Sequence, residues 1–72
     1  MFGICHLNII PVRKDKTSKS ELVSQLLYGD LFTILKEEDN WYYVEILDDT
    51  YKGWINYSQL KKISENDFKK LQ

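Results

Sequence analysis

Apolar positions in this chain recur mostly in short alternating runs, the period of half-buried strands. From Ile4 to Val12, Cys5, Leu7 and Ile9 fall on one face and Ile4, His6 and Asn8 on the other. The apolar phase changes at Ile9-Ile10, which predicts a bend or bulge there. Pro11 has no N–H to give a ladder and belongs at a strand edge or end. Arg13 to Ser20 is polar and reads as a long exposed loop. Leu31 to Glu37 alternates again, with Phe32 and Ile34 on one face, and Glu38 to Asn40 is a polar turn. Trp41 to Leu47 is the clearest strand, with Tyr42, Val44 and Ile46 facing one way. Asp48 to Tyr51 connects it to a returning strand, Lys52 to Tyr57. Pairing Leu47 with Lys52 sets Val44 opposite Ile55 on the inner face. The same pairing sets Trp54 beside Glu45 and Tyr43 on the outer face.

Two segments depart from this period. In Glu21 to Tyr28, Leu22, Val23, Leu26 and Leu27 stand at helical spacing, and Ser18 with Glu21 matches a capping box. Pattern alone favours a short helix there over a strand, ended by the turn signal Gly29-Asp30. In Ser64 to Leu71, Ser64 can cap a helix with Asp67 at its third position, and Ile63 and Phe68 stand at staple spacing. Lys69 and Lys70 suit the C-terminal end of such a helix.

Size and charge narrow the function classes. Seventy-two residues make at most one small core, so tight turns and bulky side chains are needed, and aromatics at 14% supply them. Net charge is −1 with both signs interspersed, which argues against disorder and against a dedicated nucleic-acid binder. Lys61, Lys62, Lys69 and Lys70 form a basic end that reads as a solvated tail. The apolar runs are too short to span a bilayer, and nothing reads as a signal peptide, so no membrane partner is expected. If Met1 is the native start, the expected location is cytoplasmic; otherwise it is the cell envelope.

Catalytic chemistry has little to work with. One cysteine allows no internal disulfide. Cys5 and His6 are neighbours, and on a strand neighbours point to opposite faces, so they cannot form a nucleophile–base pair. Cys5 is expected in the core. One Cys and one His fall short of a metal set, and Gly3, Gly29 and Gly53 are isolated, so neither a metal nor another cofactor is expected. Asp48 and Asp49 lie in a turn and serve its geometry. The outer aromatics Trp41, Tyr43 and Trp54, with Tyr51 at the hairpin tip, are the candidate docking or ligand face. The competing reading is that Trp41 and Trp54 roof the barrel end beneath the loop Arg13 to Ser20.

The ordered features resemble the bacterial SH3 domain. They are Val12-Arg13, Ser20, Leu22-Val23 with Leu26-Leu27, Gly29-Asp30, Phe32 to Leu35, Trp41 with Val44, and Gly53-Trp54-Ile55. A narrower set is Gly3 to Leu7, Pro11-Val12-Arg13 and Ser20 to Gly29. It resembles the N-terminal SH3 domain of NlpC-type cysteine peptidases similar to dipeptidyl-peptidase VI. The resemblance implies an all-β SH3-like barrel of about five to seven short strands over residues 1–63. It also implies a last strand at Lys61 to Ile63 and a strand, not a helix, from Leu22 to Tyr28. Residues 64–72 would be a helical connector to a downstream domain outside this chain. The function implied is non-catalytic: an accessory domain of a murein-peptide (γ-D-glutamyl–diamino-acid) cysteine endopeptidase. It would dock on the catalytic domain and shape or recognise the cell-wall stem peptide, which it would bind weakly alone. The alternative is a free-standing interaction module for an extended peptide, disfavoured because the loop Arg13 to Ser20 is basic in balance.

Overall fold

The computed structural model describes residues 1–72. Seven strands form one antiparallel sheet: β1 (Phe2–Ile4), β2 (Ile9–Arg13), β3 (Leu22–Leu27), β4 (Leu31–Glu38), β5 (Trp41–Ile46), β6 (Lys52–Asn56) and β7 (Lys61–Ile63). A 3-10 turn at Tyr57–Gln59 precedes β7, and one helix, α1 (Glu65–Leu71), follows it. The spatial order is β3-β2-β6-β5-β4-β1-β7. Ile10 and Val12 of β2, Leu26 of β3, Phe32 and Ile34 of β4, Tyr42, Val44 and Ile46 of β5 and Ile55 of β6 meet in one buried cluster with Cys5. Side chains from five strands share one core because the sheet curls on itself, as the barrel expectation requires.

Local chemistry explains the corners. Asp39 and Asn40 both take positive φ, 50° and 65°, in the two-residue turn between β4 and β5. These residue types tolerate that geometry, which suits the twist of the flanking strands. At the β3–β4 corner Gly29 has φ 89°, and the Asp30 carboxylate accepts the Leu27 N–H at 2.8 Å. At the β5–β6 corner the Asp49 carboxylate accepts the Tyr51 N–H at 3.0 Å, the turn role expected of that pair.

Three expectations are corrected. The run Ile4 to Val12 is not one strand. It breaks between β1 and β2, and Leu7 and Ile9 are exposed whereas Cys5, Ile10 and Val12 are buried. Cys5 N–H donates to Asp30 C=O and Gly29 N–H to Cys5 C=O. The chain is tied to the β3–β4 corner there, and Cys5 fills the core from outside any strand. Secondly, the helical spacing of Leu22, Val23, Leu26 and Leu27 gives way to β3. Only Leu26 of the four is buried, and Ile9 to Val12 pair with Leu27 to Ser24. Pairing with β2 satisfies the backbone and buries Leu26, which outweighs a local preference. Thirdly, the β5–β6 register differs by two residues from that expected. Glu45 faces Lys52, Val44 faces Gly53, Tyr43 faces Trp54 and Tyr42 faces Ile55. The corner sits one residue earlier in the chain: Ile46 N–H donates to the Tyr51 carbonyl at 2.9 Å, and the residues enclosed are Leu47 to Thr50, with Thr50 at φ 60°. A shift of two keeps every side chain on its assigned face, so Val44 and Ile55 are both fully buried although they are not paired.

The tail behaves as its caps indicate. The Ser64 hydroxyl accepts the Asp67 N–H at 3.1 Å, and Glu65 and Lys69 pair at 3.1 Å. Phe68 is buried and stacks on Phe2 with ring centroids 4.1 Å apart, so α1 is packed on β1. This seven-residue helix is too short to cross a membrane.

Candidate functional site

The outer face of the β5–β6 hairpin holds the expected aromatics in three different settings. Tyr43 and Trp54 are direct cross-strand partners, with ring centroids 5.1 Å apart and tilted by 50°. Trp54 is only 8% exposed. Lys16, from the loop after β2, and Lys36 of β4 each hold an ammonium 5.4 Å from its ring centroid. Lys16 is fixed by Glu38 at 3.0 Å and Asp39 at 2.9 Å, so the loop is fastened across this face. Tyr51 is 55% exposed and lies beyond Lys52, at the other end of the hairpin from Trp41. Four residue steps along β5, about 13 Å, separate the Trp41 level from the Glu45–Lys52 level. Trp41, Tyr43 and Trp54 therefore share one region, and Tyr51 stands apart from it.

Trp41 lines a groove of about 250 Å³ together with Pro11, Arg13, Ser18, Asn56, Ser58 and Gln59. Its origin lies in the backbone. β2 meets β6 at the single register pair Arg13–Trp54. Continued one pair of residues further, that register would bring Pro11 opposite Asn56, where proline has no N–H to extend a ladder. The strands part there, and the 3-10 turn closes the far side. Asn56 starts that turn: its side-chain oxygen accepts from the Ser58 N–H at 3.0 Å and the Ser58 hydroxyl at 2.7 Å. Arg13 Nη1 donates to the Ser20 carbonyl at 2.9 Å, which ties the guanidinium to the loop. Apart from Trp41, these groove residues were not singled out as a site from the sequence. Pro11 two residues before Arg13 and the Asn56-x-Ser58 turn signal are the marks that point to them.

The thiol and imidazole do not meet. Cys5 is buried, its Sγ–H donates to the Leu7 carbonyl at 3.2 Å, and His6 is exposed. Burial pushes the thiol up from its ordinary value; a smaller contribution from the Leu7 backbone acts the other way, and the Asp30 charge adds to the rise. A raised thiol pKa is the opposite of what a nucleophile needs. The two residues lie in the irregular segment between β1 and β2, so the break in the chain, rather than strand alternation, sets them apart. No three His, Cys, Asp or Glu side chains converge as a metal would require.

A curled antiparallel sheet with a long loop after β2, a tryptophan opening β5 and a 3-10 turn before the last strand defines a small SH3-like barrel. More narrowly, residues 12–60 match the family model of the bacterial dipeptidyl-peptidase Sh3 domain, and the chain belongs to that family. No curated relative matches the chain. The family's description ties the domain to a peptidase, which makes an accessory domain of a peptidase the coarse functional reading.

Proposed function

We propose that this chain is the non-catalytic accessory domain of an NlpC-type cysteine endopeptidase acting on γ-D-glutamyl–diamino-acid bonds of murein peptides. It docks on the linked catalytic domain through the outer face of β5 and β6 and helps to shape the substrate cleft. The observation that carries this reading is the family match over residues 12–60, on a chain whose one thiol is buried. The outer face supports it with half-buried Trp41 and Tyr43 beside Trp54, at the mouth of a polar groove. Aromatics at a groove rim suit a surface that is completed by a partner. Tyr51, at the far end of the hairpin, lies outside the centre of this surface.

The test is a titration of the ¹⁵N-labelled chain with an NlpC-type catalytic domain, followed by amide shifts. Shifts centred on Trp41, Tyr43 and Trp54 are expected. Shifts confined to β7 and α1, or none at concentrations matching a tethered pair, would remove this docking surface from the proposal.

A further inference from the structure

The groove at Trp41 is lined by one cationic and several neutral polar side chains and by no acid. Arg13 is half-buried, makes no ion pair with any carboxylate, and spends one guanidinium N–H on the Ser20 carbonyl. A guanidinium offers five N–H donors, so most of its fork is left over. Asn56 has its side-chain oxygen committed to Ser58 twice, which fixes the amide orientation and leaves its NH₂ as the free end. Ser18 and Gln59 add further donors to the same lining, and no Asp or Glu is among the lining residues. A half-buried guanidinium with free N–H donors is open to an anion, and a planar carboxylate matches its fork.

We propose that this groove binds the carboxylate of a short peptide, with the Arg13 guanidinium and the Asn56 amide NH₂ as its donors and the Trp41 ring as its wall. This rests on the peptide-recognition part of the function proposed above and names the group recognised. Arg13 is then a specificity-determining residue: a peptide with a free carboxylate is taken, and its amide is disfavoured because it carries no charge to pair with the guanidinium and turns an NH₂ toward it.

The probe is the tripeptide L-Ala-γ-D-Glu-meso-diaminopimelate, titrated into the ¹⁵N-labelled 72-residue chain alone, beside the same peptide with all carboxylates amidated and beside sodium acetate. Expected are saturable shifts of the Trp41 indole N–H and the Asn56 and Gln59 side-chain NH₂ groups. Affinity should fall at least tenfold for the amidated peptide. Arg13→Gln should cost a similar factor, but it also cuts the tie to Ser20. Asn56→Asp is the cleaner variant, because an aspartate still accepts both Ser58 bonds while putting a negative charge in the groove. It should keep the thermal midpoint and lose at least tenfold in affinity. Equal binding of acid and amide, or unchanged affinity in Asn56→Asp, would overturn the proposal. So would acetate shifts equal to the peptide's at equal concentration, which would mark an anion site only. Absence of saturation below about 10 mM, a binding free energy near −3 kcal/mol, would overturn it too. Since the catalytic domain is absent from this experiment, failure here leaves the docking reading to its own titration.

Discussion

Lys16 holds its ammonium 5.4 Å from the Trp54 ring centroid while it binds Glu38 and Asp39 across the turn between β4 and β5. The loop, closed on itself by bonds such as Lys14 N–H to the Glu21 carbonyl, is thereby pinned over a tryptophan. The bond from Lys16, then its charge, holds the Glu38 carboxyl below its ordinary value of 4.5. Bonds to Asp39 and then Glu38 hold Lys16 above its ordinary 10.5. A lowered carboxyl contributes stability that is present above its unfolded value and lost as pH falls through the folded one. A raised amine contributes stability that is complete below 10.5 and lost as pH climbs through its higher folded value. The pin therefore holds between those limits. In a Trp41→Phe background, Trp54 fluorescence should shift to the red on acidification with a midpoint below 4.5. Lys16→Met should abolish that step, and persistence of the same step in Lys16→Met would show that the pin does not control it.

Val44 is fully buried at the centre of β5. Val44→Ala should lower stability by ~1–3 kcal/mol through lost burial and a residual cavity. Denaturant unfolding with an unchanged midpoint would put the inner face of β5 in doubt.

Gly53 lies where β2 crosses onto β6. A Cβ added there would sit 2.6 Å from Val12 Cγ1 and 2.8 Å from the Arg13 carbonyl oxygen. The second neighbour is backbone and cannot rotate away. Gly53→Ala should cost ~1–3 kcal/mol by overpacking and loosen the Arg13–Trp54 bridge. Slowed hydrogen exchange at Arg13 and Trp54 in the variant would contradict this.

Cys5 should react slowly with iodoacetamide in the native chain and fast in denaturant, since its thiol is buried and its pKa raised. Equal rates would mean that the segment between β1 and β2 opens freely.

Phe68 is the only buried residue of α1 and stacks on Phe2. Phe68→Ala should release the helix from β1 and cost ~3 kcal/mol or more, whereas Ser64→Ala should cost only ~1 kcal/mol through the lost cap. Similar small effects from both would mean that α1 is held by its cap alone.

By itself the sequence determined whatever is local or periodic. Alternation placed Tyr42, Val44 and Ile46 on the inner face and Phe32 with Ile34 beside them, because a strand has a period of two whatever it pairs with. Turn residues marked the corners at Gly29 and Asn40, and Ser64 announced α1, because those signals act within a few residues. The ordered motifs around Trp41 and Gly53-Trp54-Ile55 carried the family. Only the tertiary structure decided what depends on distant partners. Leu22 to Leu27 spaces its apolar residues like a helix but lies beside β2, and no window of sequence contains that pairing. The register that joins Tyr43 to Trp54 turns on a corner displaced by one residue, closed by Ile46 and Tyr51 with Thr50 at positive φ. Cys5 was assigned to the core correctly, yet it reaches the core from a break that periodicity read as strand. The groove is the clearest case. Arg13, Trp41 and Asn56 are far apart in the chain and come together because β2 touches β6 once and Pro11 ends the contact.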